Sequence, residues 1–172
     1  MKESPYLEGN EFLLEKLQHL PCLGALSAKY IKHILCLSKL RTFDDGEIIT
    51  KERSYDNWVY ILFSGAVRII KNGKEITRID GVGSTFGEVA AIDGQARSAS
   101  VEAIGTTVCL AIDASFMGET TSLEQALFVS ALYKLFSEVI AQRLRAANEE
   151  LVEMRSELER LRKANRGDMK RV

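Results

Sequence analysis

Between Phe86 and Ala103 the chain holds residues whose types and spacing suit the capture of a small anion. Gly83, Ser84 and Gly87 permit a tight backbone path into a short apolar turn, Glu88 to Ile92. The N-terminus of such a turn presents unbonded N–H groups and the positive end of a helix dipole. Gly87 has no Cβ, so a ligand can approach its backbone closely. Asp93-Gly94 then turns the chain. Arg97 follows, with the hydroxyl residues Ser98 and Ser100 at the start of an apolar strand. An arginine brought back over a helix N-terminus can clamp one phosphate, and the carboxylate of Glu88 can accept from a sugar hydroxyl. Together these groups suit a cyclic phosphate ester that carries a free ribose hydroxyl. The plainer alternative is an arginine that caps a strand by pairing with a nearby carboxylate, with Glu88 simply favoured at a helix start.

The elements that must position this run fall into three patterns. Residues 1 to about 42 read as helices that pack on the strand-rich region beginning at 43. Phe12, Leu13, Leu17 and Leu20 recur at helical spacing and stop at Pro21. After Ser27, a residue suited to N-capping, Ile31, Ile34, Leu35, Leu37 and Leu40 form a second apolar stripe. From 43 to about 120 glycines punctuate short runs rich in β-branched and aromatic residues: Trp58 to Phe63, Ala66 to Ile70, Glu75 to Ile79, Ala99 to Ala103 and Thr106 to Ile112. Asn72-Gly73 between two of these runs is a hairpin signal. The expected fold is mainly β with flanking helices: an antiparallel β-roll or jelly-roll barrel. No alternation of strands with long helices supports a parallel sheet.

The third pattern is a run from about 122 to 164 without glycine or proline. As one helix of ~42 residues it would extend ~63 Å, too long to lie on a domain of this size, so its second half must project or pair. That half carries a heptad, with Leu144, Leu151 and Leu158 at a, and Ile140, Ala147, Met154 and Leu161 at d. In a parallel in-register pair, Glu150 at g faces Arg155 at e of the second helix, and Glu157 faces Arg162. The expected divisions are N-terminal helices over 1–42, a β-roll over 43–120, a dimerisation helix over 121–165 and a disordered basic tail over 166–172. The parallel homodimer is placed at 140–161. The alternative is a lone helix laying its stripe on its own barrel.

Composition narrows the function classes. The chain has 172 residues, 46% hydrophobic and 27% charged, with 23 basic and 24 acidic side chains for a net charge of -1. That is a globular balance with no charge excess directed at nucleic acid or a membrane surface. Cys22, Cys36 and Cys109 are odd in number and scattered, which reads as small buried hydrophobes in a reducing compartment. The start of the chain lacks the apolar core of a signal peptide and no apolar stretch reaches ~20 residues, so a cytoplasmic location is expected. No GxSxG, HExxH or Walker sequence is present, and no catalytic residue is assigned.

The stretch from Phe86-Gly87-Glu88 through Arg97-Ser98-Ala99 resembles, without gaps, the phosphate-binding cassette of the cyclic-nucleotide-binding domain family. That family includes the catabolite activator protein, regulatory subunits of cyclic-AMP-dependent protein kinase and cyclic-nucleotide-gated channels. Phe43-Asp44-Asp45-Gly46-Glu47-Ile48-Ile49 resembles the family's first barrel corner, and Asp56 to Arg68 its central hairpin. The likeness covers about residues 10 to 150. It implies that Glu88 binds the ribose 2′-hydroxyl and that Arg97 pairs with the exocyclic phosphate oxygens. Gly87, Glu88, Val89 and Ala90 would line the phosphate turn, with Ser98 and Ala99 offering further contacts. A paired long helix fits the catabolite-activator branch. In that branch a DNA-reading domain follows the helix, and here only Arg166 to Val172 remain beyond the heptads. That branch also sets hydroxyl residues of the helix against the base. Here Ala147 and Asn148 stand there, and Asn148 can reach the base through its amide.

The resemblance therefore implies a non-enzymatic sensor that binds cAMP, or else cGMP, with no metal, and passes the binding event to a coiled coil. Its downstream partner is unspecified, and neither nucleic acid nor a membrane is expected. A dimerisation module of the same fold that no longer binds ligand is the alternative. A redox or haem regulator of this fold would need a cysteine cluster or haem ligands, and His19 and His33 read as surface or core residues of helices.

Overall fold

The computed structural model describes residues 1–20, 22–24, 26–118 and 122–168, with side chains through Arg162. It comprises a compact unit, Met1–Phe136, and a second unit from Ser137 onward. Among the described residues seven strands run through the first unit: β1 (Lys2–Glu3), β2 (Ser38–Phe43), β3 (Ile48–Thr50), β4 (Trp58–Lys71), β5 (Lys74–Ile79), β6 (Thr85–Phe86) and β7 (Ser100–Asp113). The helices are α1 (Glu11–Gln18), α2 (Ala28–Cys36), α3 (Glu88–Asp93) and α4 (Leu123–Asp168), with a 3₁₀ turn at Ser115–Gly118.

All strand pairings are antiparallel, in the order β1-β2-β7-β4-β5, with β3 on β7 and β6 on β4. The jelly-roll expectation holds, with one correction: among the described residues this path is open at both ends, so the sheet is not a closed barrel. The core lies on the inner face of β4 and β7, where Phe43, Tyr60, Leu62, Val67, Phe86, Val101, Ala103, Cys109 and Ala111 pack together. Residues alternate along a strand, so Tyr60 and Leu62 point inward before Gly65 and Val67 and Ile69 after it, the change of parity falling at the register shifts around Ser64.

The runs expected as separate strands fuse into two of 14 residues, β4 and β7. Gly65 explains the fusion in β4. Its φ is +85°, and a Cβ there would lie 2.6 Å from the Thr106 carbonyl oxygen. The glycine therefore makes a bulge inside a continuing strand instead of ending it, and the register shifts on both sides of Ser64. The buried Thr107 hydroxyl donates to the Ala66 carbonyl at 2.9 Å across this irregularity. The Asn72-Gly73 hairpin forms as expected, with φ of 50° and 74° joining β4 to β5.

Both N-terminal helices form. The Asn10 side chain caps α1 by accepting from the Leu13 N–H at 3.0 Å, and Ser27 caps α2. Leu13, Leu17, Ile31, Ile34 and Leu35 are buried. Phe12, expected on the inner stripe, is exposed, and Leu40 belongs to β2. The expected helix stop, Pro21, lies outside the described residues; α1 ends at Gln18. The boundaries also differ: β1 already lies at Lys2–Glu3, the next strand begins at Ser38 and not 43, and the first stretch of α4 is part of the compact unit. There Phe128 is buried, with its ring 5.4 Å from Tyr30 and 5.5 Å from Phe116. The helix reaches Asp168, three residues into the expected disordered tail; 169–172 lie outside the described residues.

Only Cys109 behaves as the expected buried hydrophobe, and burial pushes its thiol up to about 12. Cys22 is half-buried and Cys36 is exposed. No described helix is long and apolar enough to cross a membrane.

Candidate functional site

The anion-binding run folds as a turn of strand, a short helix and a return. β6 pairs with β4 through Tyr60↔Phe86, and the two rings stack 5.1 Å apart at 10°. Such a stack adds about 0.5–1.5 kcal/mol beyond the burial of its area. It fixes the residue immediately before Gly87. Gly87 then caps α3 at φ 86°, ψ 0°, a left-handed conformation. A Cβ on Gly87 would sit 2.7 Å from Arg97 Nη1 and 2.8 Å from the Trp58 carbonyl oxygen. The missing side chain thus makes room for the Arg97 guanidinium and the Trp58 carbonyl. α3 closes at Gly94, whose N–H donates to the Ala90 carbonyl at 3.0 Å.

Arg97 is only 4% exposed. Its backbone is held by β-like bonds: Arg97 N–H donates to Ser54 O, and Arg53 N–H donates to Arg97 O, both at 2.8 Å. Its Nε donates to Asp56 Oδ2 at 3.0 Å, and Nη2 donates to Asp56 Oδ1 and to the Trp58 carbonyl. Nη1 donates to the Gly87 carbonyl at 2.8 Å. Four of the five guanidinium hydrogens are so directed, and a second Nη1 hydrogen is left for a further acceptor. The plainer alternative, an arginine paired with a nearby carboxylate, is therefore part of the geometry, and the same pairing aims the group at the start of α3. Burial pushes the Asp56 carboxyl up, but the hydrogen bonds from Arg97 and the Trp58 N–H, with the Arg97 and Arg41 charges, outweigh it. The carboxyl is held below its ordinary value of 3.8. Glu88, first residue of α3, is 1% exposed, so it is no surface carboxylate merely placed to suit a dipole.

Similarity to known proteins decides what this arrangement belongs to. The family model described as the cyclic nucleotide-binding domain matches residues 40–121. Residues 40–121 belong to the cyclic nucleotide-binding domain family. The chain is similar to part of a cAMP-dependent protein kinase regulatory subunit of Yarrowia lipolytica, 31% identical over 103 residues, covering 60% of this chain and 27% of the relative. It is also 35% identical over 65 residues to a cGMP-dependent protein kinase of Toxoplasma gondii, covering 38% of this chain and 6% of that protein. The chain thus spans well under a third of the length of these curated relatives. A solved cyclic nucleotide-binding domain from Methylobacillus flagellatus superposes with a TM-score of 0.72 at 18% identity, over 86% of this chain and 87% of that one. That likeness is one of fold.

Within this cyclic nucleotide-binding domain the structure sets Arg97 against Gly87, directly ahead of Glu88 and Ala90 on α3, with Glu88, Ala90 and Arg97 buried. Val89 and Ser98 are exposed and Ala99 is half-buried. Asn148 is exposed on α4, in the second unit. Sequence reasoning missed Asp56 and the Trp58 carbonyl as partners of Arg97. A carboxylate just ahead of a hydrophobic strand was the available signal for Asp56, but a backbone acceptor leaves no mark in a sequence. Among the described residues no group of three or more His, Cys, Asp or Glu could hold a metal ion. His19 and His33 are both exposed, the first bonded to the Glu15 carbonyl and the second edge-on to Phe128.

Proposed function

We propose that the chain is a non-enzymatic regulatory domain that binds a cyclic nucleotide, cAMP in preference to cGMP, and couples occupancy to a dimeric coiled coil. The observation that carries this reading is the buried Arg97, oriented by Asp56 and Trp58 against the Gly87 start of α3. In it, the second Nη1 hydrogen of Arg97 meets an exocyclic phosphate oxygen, and the carboxylate of Glu88 accepts from the ribose 2′-hydroxyl. Gly87, Val89 and Ala90 line the phosphate turn, and Ser98 and Ala99 flank it. No reaction follows binding. The ligand acts by its difference in affinity for two arrangements of the domain.

The dimer reading rests on the heptad. Leu144, Leu151, Met154, Leu158 and Leu161 are all exposed in the single chain. Their seam is flanked by Glu150 and Glu157 at g and Arg155 and Arg162 at e. Glu157 also lies 3.9 Å from Arg160 of its own helix, a contact an interchain pair would share. A cytoplasmic setting suits the three unpaired cysteines.

Thermal unfolding of the full chain with cAMP or cGMP added separately tests the ligand. A binder gains about 2.7 kcal/mol at a hundredfold excess over Kd, so the midpoint should rise with cAMP at lower concentration than with cGMP. An unfolding curve that neither nucleotide moves would favour the ligand-free dimerisation module.

A further inference from the structure

A second buried arginine stands behind the site, and nothing in the nucleotide chemistry requires it. Arg41 on β2 is 9% exposed. Its Nε donates to Glu3 Oε2 at 2.6 Å, and its Nη1 donates to the Tyr60 hydroxyl at 2.9 Å. Its guanidinium carbon lies 3.9 Å from the centre of the Trp58 ring and 5.9 Å from that of Tyr60. Glu3 is the direct cross-strand neighbour of Arg41 in the β1–β2 pair, and its other oxygen is 2.7 Å from Lys39 Nζ.

Both aromatic residues that Arg41 grips touch the cassette. Trp58 accepts from Arg97 through its carbonyl, and its N–H donates to Asp56 Oδ1 at 3.1 Å. Tyr60 stacks on Phe86, the residue before Gly87. A planar fork that stacks on one ring and bonds to a second is a task for arginine and not for lysine. Burying such a cation is costly where apolar packing would serve. Here it ties the N-terminal strand β1 to the two residues that hold the phosphate clamp.

We propose that Arg41, anchored by Glu3, is a positioning residue for Arg97, so that strand β1 forms part of the nucleotide-binding machinery. The proposal rests on the cyclic-nucleotide reading of the site. Energetic linkage makes it reciprocal: occupancy of the cassette tightens β1, and loosening β1 weakens occupancy.

Trp58 is the only tryptophan of the chain, so tryptophan emission reports on the surroundings of this one ring, between Arg41 and the cassette. The test titrates cAMP and cGMP into this chain as wild type, Glu3→Gln, Arg41→Lys, Arg97→Lys and the Glu3→Gln/Arg97→Lys double variant, with Kd from calorimetry and Trp58 emission recorded in parallel. Glu3→Gln and Arg41→Lys should each raise Kd about fivefold or more, the lower end of coupling between linked sites. They should also diminish the change in Trp58 emission on nucleotide addition. The double variant should lose less than the product of its single losses, because both act on one guanidinium. Glu3→Gln keeps Arg41 in place, so it carries the test if Arg41→Lys fails to fold. Wild-type Kd in the folded variants, whatever their melting temperatures, would overturn the positioning role. A wild type that binds neither nucleotide would instead overturn the reading on which it rests.

Discussion

At the position of Arg97, a buried cation must be balanced before any ligand arrives, and Asp56 supplies the balance through two hydrogen bonds. Such a pair is a weak source of net stability, yet removing one member leaves an uncompensated charge. The depressed Asp56 carboxyl fixes the sign of the pH dependence. Its contribution is present above the ordinary carboxylate value of 3.8 and is lost as pH falls through the lower folded value. Asp56→Asn removes that titration. Thermal midpoints measured below about pH 5 should therefore fall more steeply for the wild type than for the variant. Glu3 is shifted downward as well, through its bond to Lys39 against a smaller cost of burial, with Arg41 adding to it. Only the difference between the two proteins isolates Asp56, and parallel pH slopes would contradict the pairing. Little of this was visible beforehand. Arg97 and Glu88 announced themselves by type and spacing, whereas Asp56 lies 41 positions away and Arg41 was just one polar residue ahead of Thr42-Phe43.

At the scale of elements, turn chemistry was easier to read than strand length. Asn72-Gly73 and the Ser27 cap form where local preference puts them, because each is decided within four residues. Gly65 misled because a glycine marks a left-handed backbone without saying whether the strand stops or bulges there. Only the pairing with β7 settles that. The helix α4 shows both sides. Its continuity through the glycine-free stretch was legible, but the heptad says nothing of where buried packing ends, which occurs near Phe136. The exposed leucines beyond it give the element-scale prediction. Burying one leucine in a seam contributes about 1.5–3 kcal/mol per chain, while each flanking ion pair adds only tenths. Sedimentation equilibrium should find a dimer for the wild type and a monomer for Leu151→Glu/Leu158→Glu. A wild-type monomer at tens of micromolar would remove the coiled-coil part of the account.

For the molecule as a whole, the proposed site draws on a few contacts that the sheet brings together. β4 contributes Trp58 and Tyr60, β2 contributes Arg41, β1 contributes Glu3, and the β6–α3 turn contributes Phe86 and Gly87. Antiparallel pairing of two long strands sets these residues side by side despite wide separation in sequence. The jelly-roll class was legible from strand spacing, but its open edge was not, since closure depends on which strands meet. The central claim is that a cyclic nucleotide is held by its phosphate at Arg97. Isothermal titration calorimetry of cAMP into the full chain, wild type against Arg97→Ala, with folding of both confirmed by circular dichroism, tests it most directly. The account predicts one nucleotide bound per wild-type chain and a loss on the order of 2–5 kcal/mol in the variant, the cost of deleting one partner of a buried charge pair. Equal affinity in the two proteins, or no heat of binding in the wild type, would contradict it.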